Sequence, residues 1–493
     1  MKKNLNKKFQ LALTFPFMLS LALTLTFTLF SCSDSDIAGI SSGEEENGEF
    51  TVTGTMANVA VFEEGAGEQD GIRSKAQVYY DRVGGKLMFS WYKPASDDVE
   101  YDTKVDKIGI FAATNSEVQM GYKLNPDVDL IQKETTTTGT FMSMDPDVEN
   151  FTNGTRYYSY YPYNSAGGFT SANVPISYAG QVQTANEQMG YYFNWDDPEY
   201  LESEKEAAAH LGKYNYMVSS ATSPTDQYVK FYYNHVGSIV RFYMTCPSGV
   251  DENVFYDSLQ VYNSEANFTI EATMNISEKS VMPTRTSHVM SLGFHPAIDM
   301  TCNNKHDATT STEYGEYEKK ISWYWKKNGT KGYIMAYMMT SPINLHEYNE
   351  FPTLYLIGRQ AAYYTREEYN AAKGYEDGDD GYMDEDDDYA ALPKIQRMKI
   401  YEASELRAYN TAKGTSYTAE QFAALPLSDR MKGYTRKFYK AELVKLNLEA
   451  SKHHQWVPVA NPDGPITFEE ITIQEWEEGT GFTNDDGVGT EDW

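Results

Sequence analysis

Three cysteines in 493 residues are too few for a disulfide scaffold or a cysteine-rich metal site. Bases are scarce as well. Lys and Arg number 41 against 71 Asp and Glu, a formal net charge of −30. A surface that negative repels phosphate backbones, so nucleic acid is not an expected partner. The eight histidines are scattered, and none completes a His-Glu-x-x-His pattern; His346-Glu347-Tyr348 starts it and stops. No Gly-x-Ser-x-Gly elbow, P-loop or dinucleotide fingerprint occurs. The expectation is a protein without catalysis or cofactor, although a pair of glycosidase carboxylates would leave no motif among so many acids. Proline is sparse at 18, whereas Tyr reaches 40 and Phe 23. Aromatic residues at 14% argue against wholesale disorder and favour strands.

The chain opens with Lys2, Lys3, Lys7 and Lys8, then an almost wholly apolar stretch over Leu11–Phe30. Ser31-Cys32 follows, then Ser33-Asp34-Ser35-Asp36. A basic start, an apolar run and a small residue at the cut make a secretory signal over 1–31. With cysteine at the cut it resembles a bacterial lipoprotein signal, which implies a lipid on Cys32 as the new N-terminus. The alternative is an uncleaved anchor, since about 20 apolar residues can span a bilayer. Cleavage would leave 462 residues with 37 bases against 71 acids, a net charge of −34. Residues 32–49 read as an acidic, self-repelling tether. Acids straight after a lipidated cysteine also resemble the surface-export signal of Bacteroidetes lipoproteins, which implies a surface-exposed lipoprotein of the cell outer membrane.

Beyond Phe50 the pattern is short strands. Among them are Thr51–Phe62, Lys107–Ala112, Tyr157–Tyr163, Tyr228–Val236, Ser238–Met244, Lys437–Leu448 and Ile466–Trp476. Val229, Phe231 and Tyr233 alternate with Lys230 and Tyr232, which predicts one buried face. Many strands without long intervening helices predict an all-β chain of antiparallel sandwiches. One short helix is predicted over Tyr200–Leu211. The turn at Cys246-Pro247-Ser248-Gly249 marks a boundary between sandwiches over 50–247 and 248–476, followed by a polar tail over 477–493.

One segment breaks the pattern. Glu368-Tyr369-Asn370-Ala371-Ala372-Lys373-Gly374 is echoed by Ala408-Tyr409-Asn410-Thr411-Ala412-Lys413-Gly414, and each copy ends in Ala-Ala-Leu-Pro. Two copies of a helix-turn unit, with Gly as C-cap and Pro as stop, predict a small helical insertion over 359–434. Within it, Glu376–Asp388 holds nine acids in 13 residues, but its glycines do not fall at calcium-loop spacing. A solvated loop is the plainer reading, and no metal site is expected. Cys246 and Cys302 could pair in an oxidising compartment or remain as two buried thiols. The run Tyr157-Tyr158-Ser159-Tyr160-Tyr161-Pro162-Tyr163 could be a sugar-stacking platform or a strand whose tyrosines pack at a sheet edge.

Taken together these pieces resemble the fimbrillin family of Bacteroidetes, the subunits of lipoprotein-derived pili. The resemblance rests on the signal ending at Cys32 and on Trp91 ahead of Asp106-Lys107-Ile108-Gly109-Ile110-Phe111. It rests also on the tyrosine run at Tyr157–Tyr163 and on the strand pair Val229–Phe242, with His235 and Ser238. It implies two tandem transthyretin-like Greek-key β-sandwiches and a surface fimbria or pilus as the product. It also implies assembly by strand exchange, in which a protease cuts after a basic residue beyond the first strand and a neighbour's strand fills the groove. Mapped onto this chain, Thr51–Phe62 is the removable strand and Arg73 the scissile residue, with Lys75 second. The donor strand is Ile466–Trp476, through Ile466, Phe468, Ile471, Ile473 and Trp476. The implied partners are other fimbrial subunits, outer-membrane lipid through Cys32, and a host or bacterial surface ligand. The alternative is a surface glycan-binding lipoprotein that never polymerises, using Tyr157–Tyr163.

Overall fold

The structure, a computed structural model, describes most of residues 51–471. Outside the described residues lie 1–50, 58, 61–76, 82–85, 93–101, 103–104, 128–130, 133–135, 146–150, 185–208, 225–227, 246–253, 300–325, 329–330, 393, 461–465 and 472–493. Its main strands in the first half are β1 (Thr51–Ala57), β2 (Gln77–Asp81), β3 (Lys86–Ser90), β4 (Lys107–Ala112), β5 (Asn115–Leu124) and β6 (Thr136–Ser143). After them come β7 (Arg156–Tyr161), β8 (Val174–Ser177), β9 (Gln181–Thr184), β10 (Met217–Thr222) and β11 (Tyr228–His235). The second half holds β12 (Ser238–Thr245), β13 (Val254–Tyr262), β14 (Phe268–Asn275), β15 (Ser280–Ser287) and β16 (Val289–Asp299). It ends with β17 (Lys331–Thr340), β18 (Thr353–Ala361), β19 (Tyr434–Glu442), β20 (His453–Trp456) and β21 (Glu469–Ile471). The chain is all-β with one small helical insertion.

Seven strands close into a barrel in the order β1-β11-β10-β7-β4-β5-β6, with β6 returning to β1. Neighbours are antiparallel except β1 and β11, which run parallel. The alternation expected of β11 is present: Val229, Phe231, Tyr233 and His235 are buried, and the residues between them are exposed. A period of two puts every second side chain in the barrel core, where it leaves water. The tyrosine run lies differently from a sheet edge. It forms β7, flanked on both sides by β10 and β4, so Tyr157, Tyr160 and Tyr161 are buried in the barrel wall.

Apart from β2 and β3, which pair with each other, the remaining strands make a six-stranded sheet, β9-β16-β13-β18-β19-β21, and a three-stranded one, β8-β14-β15. A four-stranded sheet joins Lys326–Asn328, β17, β12 and β20. Residues on both sides of Cys246 therefore share sheets, and one continuous apolar core runs from Val52 to Phe468. A pair of glutamines ties β9 to the border of β17. Gln181 is buried; its Nε2 donates to the Met339 carbonyl at 2.6 Å, and its Oε1 accepts from the Met339 N–H at 2.7 Å. Gln183 Oε1 accepts from the Tyr337 N–H at 2.9 Å. The amides take the places that backbone groups of a further strand would fill.

Of the helix expected over Tyr200–Leu211 only the end is described, and there the chain makes a 3-10 turn, Ala209–Tyr214. The strand expected over Lys437–Leu448 changes partners at Leu443, whose N–H donates to the Pro352 carbonyl while the next N–H goes to Val457.

The insertion leaves β18 after Ala361 and rejoins at Tyr434, which is paired with Ala361. It holds α1 (Arg366–Lys373), α2 (Asp386–Ala391), α3 (Lys394–Arg397), α4 (Leu406–Lys413) and α5 (Ala419–Ala423). Both expected C-caps are present: Gly374 and Gly414 adopt left-handed φ values of 73° and 64°. The duplication extends beyond the helices. Asn370 clasps the backbone N–H and carbonyl of Met383, and Asn410 does the same to Tyr417. Arg397 sits over the Tyr389 ring at 5.4 Å and Arg430 over Phe422 at 5.7 Å. Met398 and Met431 enter one apolar cluster. The acidic loop Glu376–Asp388 hangs from the first copy, with its carboxylates exposed.

Candidate functional site

Among the described residues, the motifs that carry the family resemblance meet around one side chain, Trp91. It is fully buried, and its Nε1 donates to the Gly54 carbonyl of β1 at 3.0 Å. Phe141 of β6, Tyr161 of β7 and Tyr233 of β11 surround it, with ring centroids at 4.9, 5.4 and 5.6 Å and near-perpendicular planes. Edge-to-face rings of this kind add about 0.5–1.5 kcal/mol per pair beyond their burial. Asp106, just ahead of β4, ties the cluster together. One carboxylate oxygen accepts from the Tyr92 N–H at 2.6 Å and the other from the Tyr161 hydroxyl at 2.8 Å. Burial pushes the Tyr161 phenol well up, with Asp106 adding to it, and burial also raises Tyr233. Both phenols therefore remain neutral donors.

Over this cluster lies β1, between β11 on one side and β6 on the other. Six residues, Thr51–Met56, pair with Tyr228–Tyr233, and Val52–Ala57 pair with Phe141 back to Thr136. Thr55 and Thr138 share a hydroxyl hydrogen bond of 2.8 Å across the second ladder. Within β1, Val52 and Gly54 face inward and are buried. Gly54 sits opposite Gly139 of β6. A β-carbon on Gly54 would come within 3.0 Å of both Phe141 and Tyr233 and 3.3 Å of Trp91; one on Gly139 would meet Trp91 at 2.8 Å. The indole fits because this facing pair has no side chains.

No family model matches the chain, and no curated protein matches it. Solved structures do. One, described as a candidate cell adhesion protein of Bacteroides ovatus, shares 11% identity over 62% of this chain and 81% of its own, with a TM-score of 0.32. Another of the same description, from Bacteroides fragilis, shares 8% over 86% of this chain and 98% of its own, at 0.30. A fimbrial protein of Bacteroides ovatus shares 12% over 63% of this chain and 44% of its own, at 0.21.

Most of the other expected site residues fall outside the described part of the chain. Cys32, Arg73, Lys75, Ile473 and Trp476 lie outside the described residues, as do Cys246 and Cys302. Ile466 and Phe468 are buried in this chain's own core; the Ile466 N–H donates to the Tyr243 carbonyl at 2.8 Å, and Ile471 pairs with Phe438. Among the described residues, no group of three or more His, Cys, Asp or Glu side chains is placed to hold a metal. The joining role of Asp106 and the glycine pair escaped the sequence reading, although the Trp91 and Asp106–Phe111 motifs pointed to the right place.

Proposed function

We propose that the chain is a structural, non-catalytic subunit of a surface fimbria or pilus that assembles by strand exchange. The observation that carries this reading is the position of β1. β6 and β11 pair with each other only through it, so its loss would leave two facing strand edges with a hydrophobic floor between them. Such edges bind an incoming strand by backbone hydrogen bonds and side-chain pockets. In this reading a lipid on Cys32 holds the chain to the outer membrane, and cleavage at Arg73 frees β1. A strand from a neighbouring subunit then enters, and this chain's own Ile466–Trp476 is its donor to another subunit. The two transthyretin-like units of this reading are the barrel closed by β1 and the sheets built mainly from 248–476, into which β8, β9 and β12 of 50–247 cross. Host or bacterial surfaces are the adhesion targets. A glycan platform at Tyr157–Tyr163 is disfavoured, because three of its tyrosines are inside the barrel wall.

The test compares the mature wild type with Arg73→Ala after trimming by a trypsin-like protease. In the presence of the other fimbrial subunits, a ladder of SDS-resistant multimers carrying this chain is expected from the wild type and not from Arg73→Ala. Neither protein forming a ladder, or an intact 50–73 segment on assembled material, would refute strand exchange.

A further inference from the structure

The glycine pair under β1 limits what can replace it. Val52 fills the core beside Phe141 and Val229, its cross-strand neighbours. Two residues on, the floor rises: the Trp91 indole reaches across Gly54 and Gly139, held there by its bond to the Gly54 carbonyl. That bond uses backbone and is open to any residue type. The space above the ring is not. A strand seated in this register can carry a β-branched or other apolar residue at the first inward position and only glycine at the next, since larger residues force side chains off their rotamers or lift the strand from both ladders.

The segment Ile466–Trp476 reads Ile-Thr-Phe-Glu-Glu-Ile-Thr-Ile-Gln-Glu-Trp and holds no glycine. In every register it would place a side chain of carboxylate, threonine or larger size over Trp91. Resting on the strand-exchange reading above, we propose that the slot is gated by glycine. It admits a segment of pattern apolar-x-Gly running parallel to β11 and refuses this chain's own C-terminal segment. The strand that enters here therefore belongs to a different subunit, one whose donor carries that glycine. The chain does not extend head to tail with copies of itself.

The test uses the full mature chain with a protease site placed within 61–76, so that β1 is nicked but retained. Fluorescent peptides are offered, and incorporation is read by gel filtration. A peptide of residues 50–60 should exchange in. The same peptide with Gly54→Val, and the 466–476 peptide, should incorporate about a hundredfold less well. One gain of function is expected: Ile473→Gly, which turns the C-terminal peptide into Ile-Thr-Gly, should restore entry. Equal entry by the Gly54→Val or the unmodified 466–476 peptide overturns the gate while leaving strand exchange intact. Entry by none of the peptides, the 50–60 peptide included, refutes strand exchange at this slot and the gate with it.

Discussion

Replacing Gly109 with alanine should destabilise the barrel, against the usual direction. Glycine inside a strand ordinarily costs about 0.5–1 kcal/mol relative to alanine, so Gly109→Ala would be expected to help. Here Gly109 of β4 is paired with Tyr160 of β7, and the ring covers the glycine. A β-carbon at Gly109 would lie 2.1, 2.7 and 2.9 Å from Cε1, Cζ and Cδ1 of Tyr160, all inside contact distance. The ring has little freedom to retreat. It stacks on Phe111 at 6.1 Å and meets Phe169 edge-on at 6.4 Å. Its hydroxyl donates to Gln119 and accepts from the Asn164 N–H. Overpacking costs about 1–3 kcal/mol, and moving the ring also breaks these bonds, so the net loss should be about 2–4 kcal/mol. The assay is urea unfolding followed by intrinsic fluorescence and far-UV circular dichroism, with Tyr160→Ala and the double variant completing a cycle. Most of the Gly109→Ala cost should vanish once Tyr160 is alanine, giving a coupling of about 2 kcal/mol. A neutral or stabilising Gly109→Ala, or strictly additive variants, would refute the reasoning.

Two further outcomes follow from other parts of the chain. His453 is wholly buried in β20, and burial first, then the Arg241 charge, holds its pKa well below the ordinary 6.5. Neutral His453 thus supports the fold fully above pH 6.5, and that support drains as pH falls toward its depressed folded value. Its share of the slope should approach about 1.4 kcal/mol per pH unit and disappear in His453→Phe, read as unfolding midpoints between pH 5 and 8. In the insertion, Asn370→Ala and Asn410→Ala each remove a two-bond clasp, at about 1–2 kcal/mol apiece. Hydrogen exchange should speed up at the Met383 amide in the first and the Tyr417 amide in the second, and unchanged protection at both would count against the clasps.

The sequence made faces legible but not neighbours. Alternation in Val229–His235 identified the buried side of β11, because a period of two needs no knowledge of partners. Helix ends in the insertion were legible for the same local reason: Gly374 and Gly414 are needed for a left-handed turn. Three barrel strands went unread. β10 and β6 are rich in Ser and Thr, and the first residues of β5, Asn115–Val118, are exposed, so none offers a clean apolar period. The parallel pairing of β1 with β11 joins segments far apart in the chain, which no local pattern encodes. At the site, Trp91, the Asp106 strand and Tyr157–Tyr163 were each singled out. Their convergence was not visible, nor was the role of Asp106 in joining Trp91's neighbour to Tyr161, because that depends on which strands lie side by side.

The two glutamines of β9 bear on how crowded copies of the chain behave. An open sheet border is indifferent to sequence: any extended peptide can dock along it, and a dense population of such molecules would stick at random. Gln181 and Gln183 turn the border of β17 into a hemmed edge, stitched with side-chain amides that an intruder would have to unpick one by one. A molecule hemmed there offers crowded copies one border fewer on which to dock at random.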